Sequence, residues 1–269
     1  MSDRVAISVD AGVADVRLNR PEKLNALDMA MFQGLVEAGR TLAADRALRA
    51  VVLSGEGRAF CAGLDVRSFQ AMADGPREGG GPSLLERSGE SPANFAQQAA
   101  YAWMDLPVPV IAAVHGVAFG GGLQIALGAD IRLVAPDARL SVMEVKWGLI
   151  PDMTGSQTLR RLVRLDVAKE LTWSGRIVSG AEAVELGLAT RASDAPREAA
   201  LELARRIAAR SPDAVRAGKR LLNDSGLVGL EEGLRLEAKL QASLIGTPNQ
   251  LEAVRANVEK RDPRFSDPK

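Results

Sequence analysis

Between Ile111 and Gln124 the chain reads IAAVHGVAFGGGLQ, an apolar run entering three consecutive glycines and continuing with helical character. A turn without Cβ atoms lets backbone approach a ligand closely. The first N–H groups of the helix that follows are unpaired and sit at the positive end of its dipole. Such a turn suits a phosphate or an oxyanion that develops during a reaction. Tight strand-to-helix packing with no ligand would use the same residues. The phosphate motifs fail on inspection. A dinucleotide fingerprint started at Gly120 finds Gly122 but then Ile125 in the third glycine's place, and Gly218-Lys219 is followed by Arg220 without a P-loop's upstream glycine.

A second loop, Gly57 to Asp65, also follows an apolar strand pattern, Ala50-Val51-Val52-Leu53, and can supply another backbone donor. Arg4 to Val9 and Val13 to Leu18 read as a hairpin across Asp10-Ala11-Gly12. Asp28 is placed to cap a helix through Ala44, with Phe32, Leu35, Val36 and Leu42 on one face. Residues 74–92 are dense in Gly, Pro, Ser and charge and read as a surface insertion. A helix over Ala93 to Met104 and strands at Val110 to Val114 and Ile131 to Val134 follow. From Thr154 onward the pattern is mostly helical, with Pro196, Pro212 and Pro248 near helix starts, where a missing N–H costs least. This is an α/β chain: strand-helix units lead and helices finish.

Composition narrows the function classes. Lys plus Arg and Asp plus Glu both total 34, so the net charge is zero and nothing favours nucleic acid as a partner. The basic run from Arg160 to Arg164 reads as a solvated helix face. With one cysteine, Cys61, no internal disulfide forms, and with one histidine, His115, no multi-histidine metal site is expected. No apolar run is long enough to span a bilayer, and no leader pattern opens the chain. A cytoplasmic protein with no metal and no membrane partner is expected. A serine-protease reading fails for want of a Gly-x-Ser-x-Gly elbow.

Several spaced landmarks then resemble the crotonase superfamily of enoyl-CoA hydratases and isomerases over nearly the whole chain. They are Asn19-Arg20-Pro21 with Asn25-Ala26-Leu27, Ala59 to Asp65, Pro109 to Gly122, Ala129-Asp130-Ile131, Gly148 to Pro151 and Gly187-Leu188-Ala189. The resemblance implies a crotonase-like spiral of ββα units over 1–195 carrying the acyl-CoA site. It implies a C-terminal helical trimerisation region over 196–269, giving a homotrimer or a hexamer. It implies that the N–H groups of Leu64 and Gly121 hold the carbonyl oxygen of an acyl-CoA thioester, coenzyme A being part of the substrate and no separate cofactor being needed. It also places coenzyme A near Lys23, Leu24, Ala26, Ala62, Asp65, Val66 and Arg67.

Hydratases of that superfamily resemble one another in carrying two catalytic glutamates, and the matching positions here are Gln124 and Glu144. An amide can orient water but takes no proton at neutral pH, so one ordinary base remains. One carboxylate suffices to shift a double bond, removing a proton at one carbon and returning it at another. Isomerisation by Glu144 is therefore favoured. The alternatives are hydration with Gln124 holding water, dienoyl isomerisation using Glu144 and Asp152, and a scaffold that binds acyl-CoA without turnover. Apolar neighbours Val142, Val145 and Trp147 are expected to raise the proton affinity of Glu144. Phe69, Met72, Trp103 and Phe119 are candidates for the acyl pocket. Cys61 reads as an inert small residue and His115 as a structural hydrogen-bonding group.

Overall fold

The computed structural model describes residues 3–66, 84–87 and 91–268. Strands β1 (Val5–Asp10) and β2 (Val13–Leu18) form the antiparallel hairpin, joined by Ala11 and Gly12 at φ +47° and +78°. Two positive φ angles give the turn the twist that a two-residue hairpin needs. Helix α1 (Met29–Ala44) starts where Asp28 accepts the N–H of Met31. Strand β3 (Ala50–Gly55) follows, then helix α2 (Phe95–Asp105), opened by a reciprocal capping box between Asn94 and Gln97.

Strand β4 (Val110–Val114) joins a parallel run with β2, β3, β6 (Ile131–Val134) and β9 (Arg191–Ala192), giving the six-stranded order β1-β2-β3-β4-β6-β9. The central strands are buried on both faces, which explains their unbroken apolar reading. Val51 and Leu53 of β3, with Val110, Ala112 and Val114 of β4, face α1 and α2 in the main core. Val52, Ile111 and Ala113, one residue out of phase, face a second core completed by Ala200 and Ala204 of helix α7 (Pro196–Ala208). The helix that opens segment 196–269 thus shares a core with the sheet. The helices beyond it are α8 (Pro212–Asp224), α9 (Leu230–Leu244) and α10 (Pro248–Glu259). All three expected prolines stand at helix starts.

The sequence reading ran β4 directly into the three glycines, and the structure corrects this. Gly116, at φ +61°, bends the chain out of the main sheet, and Arg58 O lies where a Cβ on it would stand, 2.0 Å away. A three-residue strand β5 (Val117–Phe119) then joins a second sheet with β7 (Arg139–Ser141) and β8 (Val178–Ser179), in the order β5-β7-β8. Helix α3 (Gly121–Leu127) starts after β5 and is almost wholly buried. Helices α4 (Gly155–Leu162), α5 (Leu165–Ser174) and α6 (Gly180–Leu186) fill the span up to β9. No helix among the described residues is long and apolar enough to cross a membrane.

Candidate active site

Backbone pairing brings the two loops together. Cys61 and Ala118 form a parallel bridge in which Cys61 N–H donates to Val117 O and Phe119 N–H donates to Cys61 O, each at 3.0 Å. On the other side of the same loop Leu64 bridges Leu27, through Leu27 N–H to Gly63 O at 2.8 Å and Asp65 N–H to Leu27 O at 3.0 Å. Asn25 ties down the entry: its Oδ1 accepts Arg20 N–H, and its Nδ2 donates to Glu56 O and Ala59 O. Gly63 takes φ +87° with Phe119 O only 2.6 Å from a Cβ position, so the loop after β3 lies directly on the end of β5. Among the described residues, the N–H groups of Leu64 and Gly121 have no acceptor. Both residues line one cavity of about 720 Å³.

Pairing of β5 with β7 delivers the carboxylate. Phe119 lies opposite Ser141, and Gly120 N–H donates to Ser141 O at 3.0 Å. Three residues beyond Ser141 a short 3-10 turn, Glu144–Trp147, lays the Glu144 side chain over Gly120, whose Cβ position is 3.3 Å from Glu144 Oε1. Glu144 is buried, and burial is the largest cause holding its carboxyl above the usual carboxylate range. Backbone N–H groups of Glu144 and Met143 and the side chain of Gln124 oppose that rise, its own N–H most, and the charge of Asp152 adds to it. The direction is the expected one; of the expected neighbours Val142 is buried, Trp147 lines the same cavity as Glu144 while half exposed, and Val145 is exposed. The glycine turn and the Gln124 side chain lie against the carboxyl as well.

Gln124 Nε2 donates to Glu144 Oε1 at 2.6 Å, while Gln124 Oε1 accepts Met153 N–H at 2.8 Å and Gly155 N–H at 2.9 Å. Glu144 Oε2 is buried and has no partner among the described residues. Asp152 lies on the cavity rim, and partial burial raises its carboxyl too. Nothing in the sequence marks the Met153 and Gly155 N–H groups, because a backbone donor carries no residue signature.

Of the residues expected at coenzyme A, Lys23, Ala26, Ala62, Asp65 and Val66 line the cavity, and Arg67 lies outside the described residues. Leu24 does not line it. It takes a left-handed conformation at φ +51°, and its carbonyl accepts Ala62 N–H. The Asp65 carboxylate is buried against Arg20 Nη1 at 2.5 Å, an ion pair holding loop 61–66 to loop 20–26. Phe119 lines the cavity, but Trp103 is fully buried in the core, its indole N–H bonded to Ala99 O; Phe69 and Met72 lie outside the described residues. Most of the 74–92 insertion is likewise outside them, yet its Leu84 and Leu85 line the cavity. Cys61 is wholly buried, its Sγ donating to Asn25 O, and burial pushes the thiol up to about 12. His115 Nε2 is 2.9 Å from Gly57 O, a tie between loops. Arg160 and Arg161 are exposed on α4, and Arg164 beyond it pairs with Asp166.

This architecture is that of the crotonase-fold α/β enzymes. The crystal structure of enoyl-CoA hydratase from Bacillus anthracis superposes with a TM-score of 0.85 at 30% identity, covering 97% of this chain and 98% of that one. The chain belongs to the enoyl-CoA hydratase/isomerase family, whose model matches residues 8–268, and is an acyl-CoA enzyme of that family. It is 34% identical to mouse mitochondrial methylglutaconyl-CoA hydratase over 94% of this chain and 79% of that protein. It is equally 34% identical to human mitochondrial enoyl-CoA hydratase domain-containing protein 2, over 97% and 88%.

Proposed function

We propose that this enzyme moves a double bond along an acyl-CoA thioester, with Glu144 as its single base. The N–H groups of Leu64 and Gly121 hold the thioester oxygen. Glu144 Oε2 takes a proton from the α-carbon of a 3-enoyl chain, the electrons pass into a dienolate held by those two N–H groups, and the same oxygen returns the proton at the γ-carbon. The product is the conjugated 2-enoyl thioester, with no net gain or loss of atoms. One observation carries this reading: a buried carboxylate oxygen shares a cavity with two backbone N–H groups, and none of the three has a partner among the described residues. A carboxyl whose proton affinity is raised toward neutrality is suited to taking and giving a proton in turn.

Hydration is the second reading, favoured by the hydratase names of the relatives. It is weakened at Gln124, whose amide oxygen already accepts two N–H groups and so has little capacity left to take a hydrogen from an attacking water. The raised Asp152 on the rim supports dienoyl isomerisation as a narrower alternative. Assay of the purified chain with 3-enoyl, 2-enoyl and 2,4-dienoyl thioesters separates these reactions, and a pure binder turns over none of them. Isomerisation by Glu144 requires 3-enoyl turnover that Glu144→Gln abolishes while thioester binding persists. Full 3-enoyl turnover in Glu144→Gln removes it.

Self-association belongs to the same reading. Leu227, Leu230, Leu234, Ile245 and Val258, on or beside the C-terminal helices, are more than half exposed in a single chain. Exposed apolar side chains of this kind favour burial against further copies, in a trimer or a hexamer.

A further inference from the structure

We propose that Gln124 is a positioning residue that fixes the Glu144 carboxylate and reserves its Oε2 as the only oxygen that moves protons. The inference rests on Glu144 being the base, and it assigns Gln124 a task other than holding water.

The side-chain amide has one possible orientation. Met153 N–H and Gly155 N–H can only donate, so the atom between them, at 2.8 and 2.9 Å, is the Gln124 oxygen. The amide nitrogen then faces Glu144 Oε1 at 2.6 Å as a donor to a charged acceptor. Gly155 is part of the device, because a Cβ there would stand 2.6 Å from Gln124 Oε1. One buried side chain thereby joins the helix of the glycine turn, the turn carrying Glu144 and the loop carrying Asp152. Glu144 Oε1 is committed to the amide, and among the described residues Oε2 is left without a partner.

The amide also suits the charge on Glu144. A glutamate at 124 would keep one oxygen on the two N–H groups and turn the other toward Glu144 Oε1. That pair shares one proton near neutral pH and ionises in two coupled steps, so Glu144 no longer titrates by itself. Loss of the Gln124 donor acts in the same direction, because a hydrogen bond to the anion disappears.

The test compares wild type, Gln124→Met, Gln124→Glu and Gly155→Ala in the full chain, with kcat and KM for a 3-enoyl-CoA thioester measured across pH. In Gln124→Met we expect kcat to fall about tenfold or more, KM to stay within about threefold, and the acid limb of kcat/KM to rise by about one pH unit. Gln124→Glu replaces that limb by two coupled steps, the upper of which lies at least as far up. Gly155→Ala, which changes no polar side chain, reproduces the Gln124→Met profile. Ionisation of Glu144, followed by infrared difference spectra of each protein minus the same protein carrying Glu144→Gln, moves with the limb and needs no turnover. An unmoved limb and an unmoved infrared titration overturn the proposal, even if kcat falls, since support of the fold alone would lower kcat without shifting either. Should Gln124→Met fail to fold, the near-isosteric Gln124→Glu carries the same comparison. Turnover surviving in Glu144→Gln means the base assignment has failed. An inactive Glu144→Gln with unmoved Gln124 variants means that only the positioning role has failed.

Discussion

Cys61 and Ala118 are held in register by two backbone hydrogen bonds of 3.0 Å, and this one bridge sets the loop after β3 beside the turn after β5. The N–H of Leu64 and the N–H of Gly121 follow the bridge by three residues on each side. Backbone pairing between two strand ends thus aligns donors that no side chain supplies, so the arrangement tolerates side-chain changes and is sensitive to backbone ones.

Gly63 is a point where that arrangement is sensitive to mutation. Gly63→Ala forces a Cβ onto Phe119 O at 2.6 Å and a side chain into φ +87°. Strain of this kind costs about 1–3 kcal/mol, and the neighbouring donor moves with it. Turnover should drop about 10²-fold, beyond any change in thioester binding measured by calorimetry. Near-normal turnover in folded Gly63→Ala would show that the loop does not set the donor.

Glu144 should oppose folding at neutral pH. Its folded-state proton affinity is raised, so the native state gains stability as pH falls through the folded-state value toward the unfolded one, and forgoes it above. Glu144→Gln should therefore melt higher than wild type at pH 7. The gap should close in acid. Melting curves from pH 4 to 8 check the sign, and a variant that is less stable at pH 7 contradicts it.

Lys219 of α8 reaches into the fold and donates to Trp103 O, Val108 O and Asp130 Oδ2 at 3.3, 2.9 and 2.8 Å. Asp130 also accepts Val110 N–H at 2.7 Å, so the pair pins α8 to the start of β4. Lys219→Met leaves a carboxylate without its cation. Asp130 is a quarter exposed, so water offsets part of the loss; a cost of about 1–3 kcal/mol should appear in a thermal melt as a loss of about 3–10 °C.

The exposed C-terminal side chains predict assembly. Wild type should run as a trimer or a hexamer in light scattering, and Leu230→Glu with Leu234→Glu should shift it toward monomer with an unchanged circular dichroism spectrum. A monomeric wild type, or an unaffected double variant, removes the assignment of these helices to self-association.

Local chemistry was legible in the sequence wherever a short segment decides its own conformation. Asp28 capping α1, the Ala11-Gly12 turn, the doubly buried run of β4 and the three helix-opening prolines all depend on neighbours within a few residues. The triple glycine and Glu144 could be singled out because rare residue patterns mark them. Strands of two or three residues, such as β5, β7, β8 and β9, carry no period of their own and exist only because a partner strand arrives from elsewhere. Asp65 looked available to a ligand until Arg20, 45 residues away, took its carboxylate. Gln124 read as a group free to hold water until the fold delivered two backbone N–H groups to its oxygen and Glu144 to its nitrogen. Residue type sets what a group can donate or accept, whereas its partners come from distant chain that only packing brings within 3 Å.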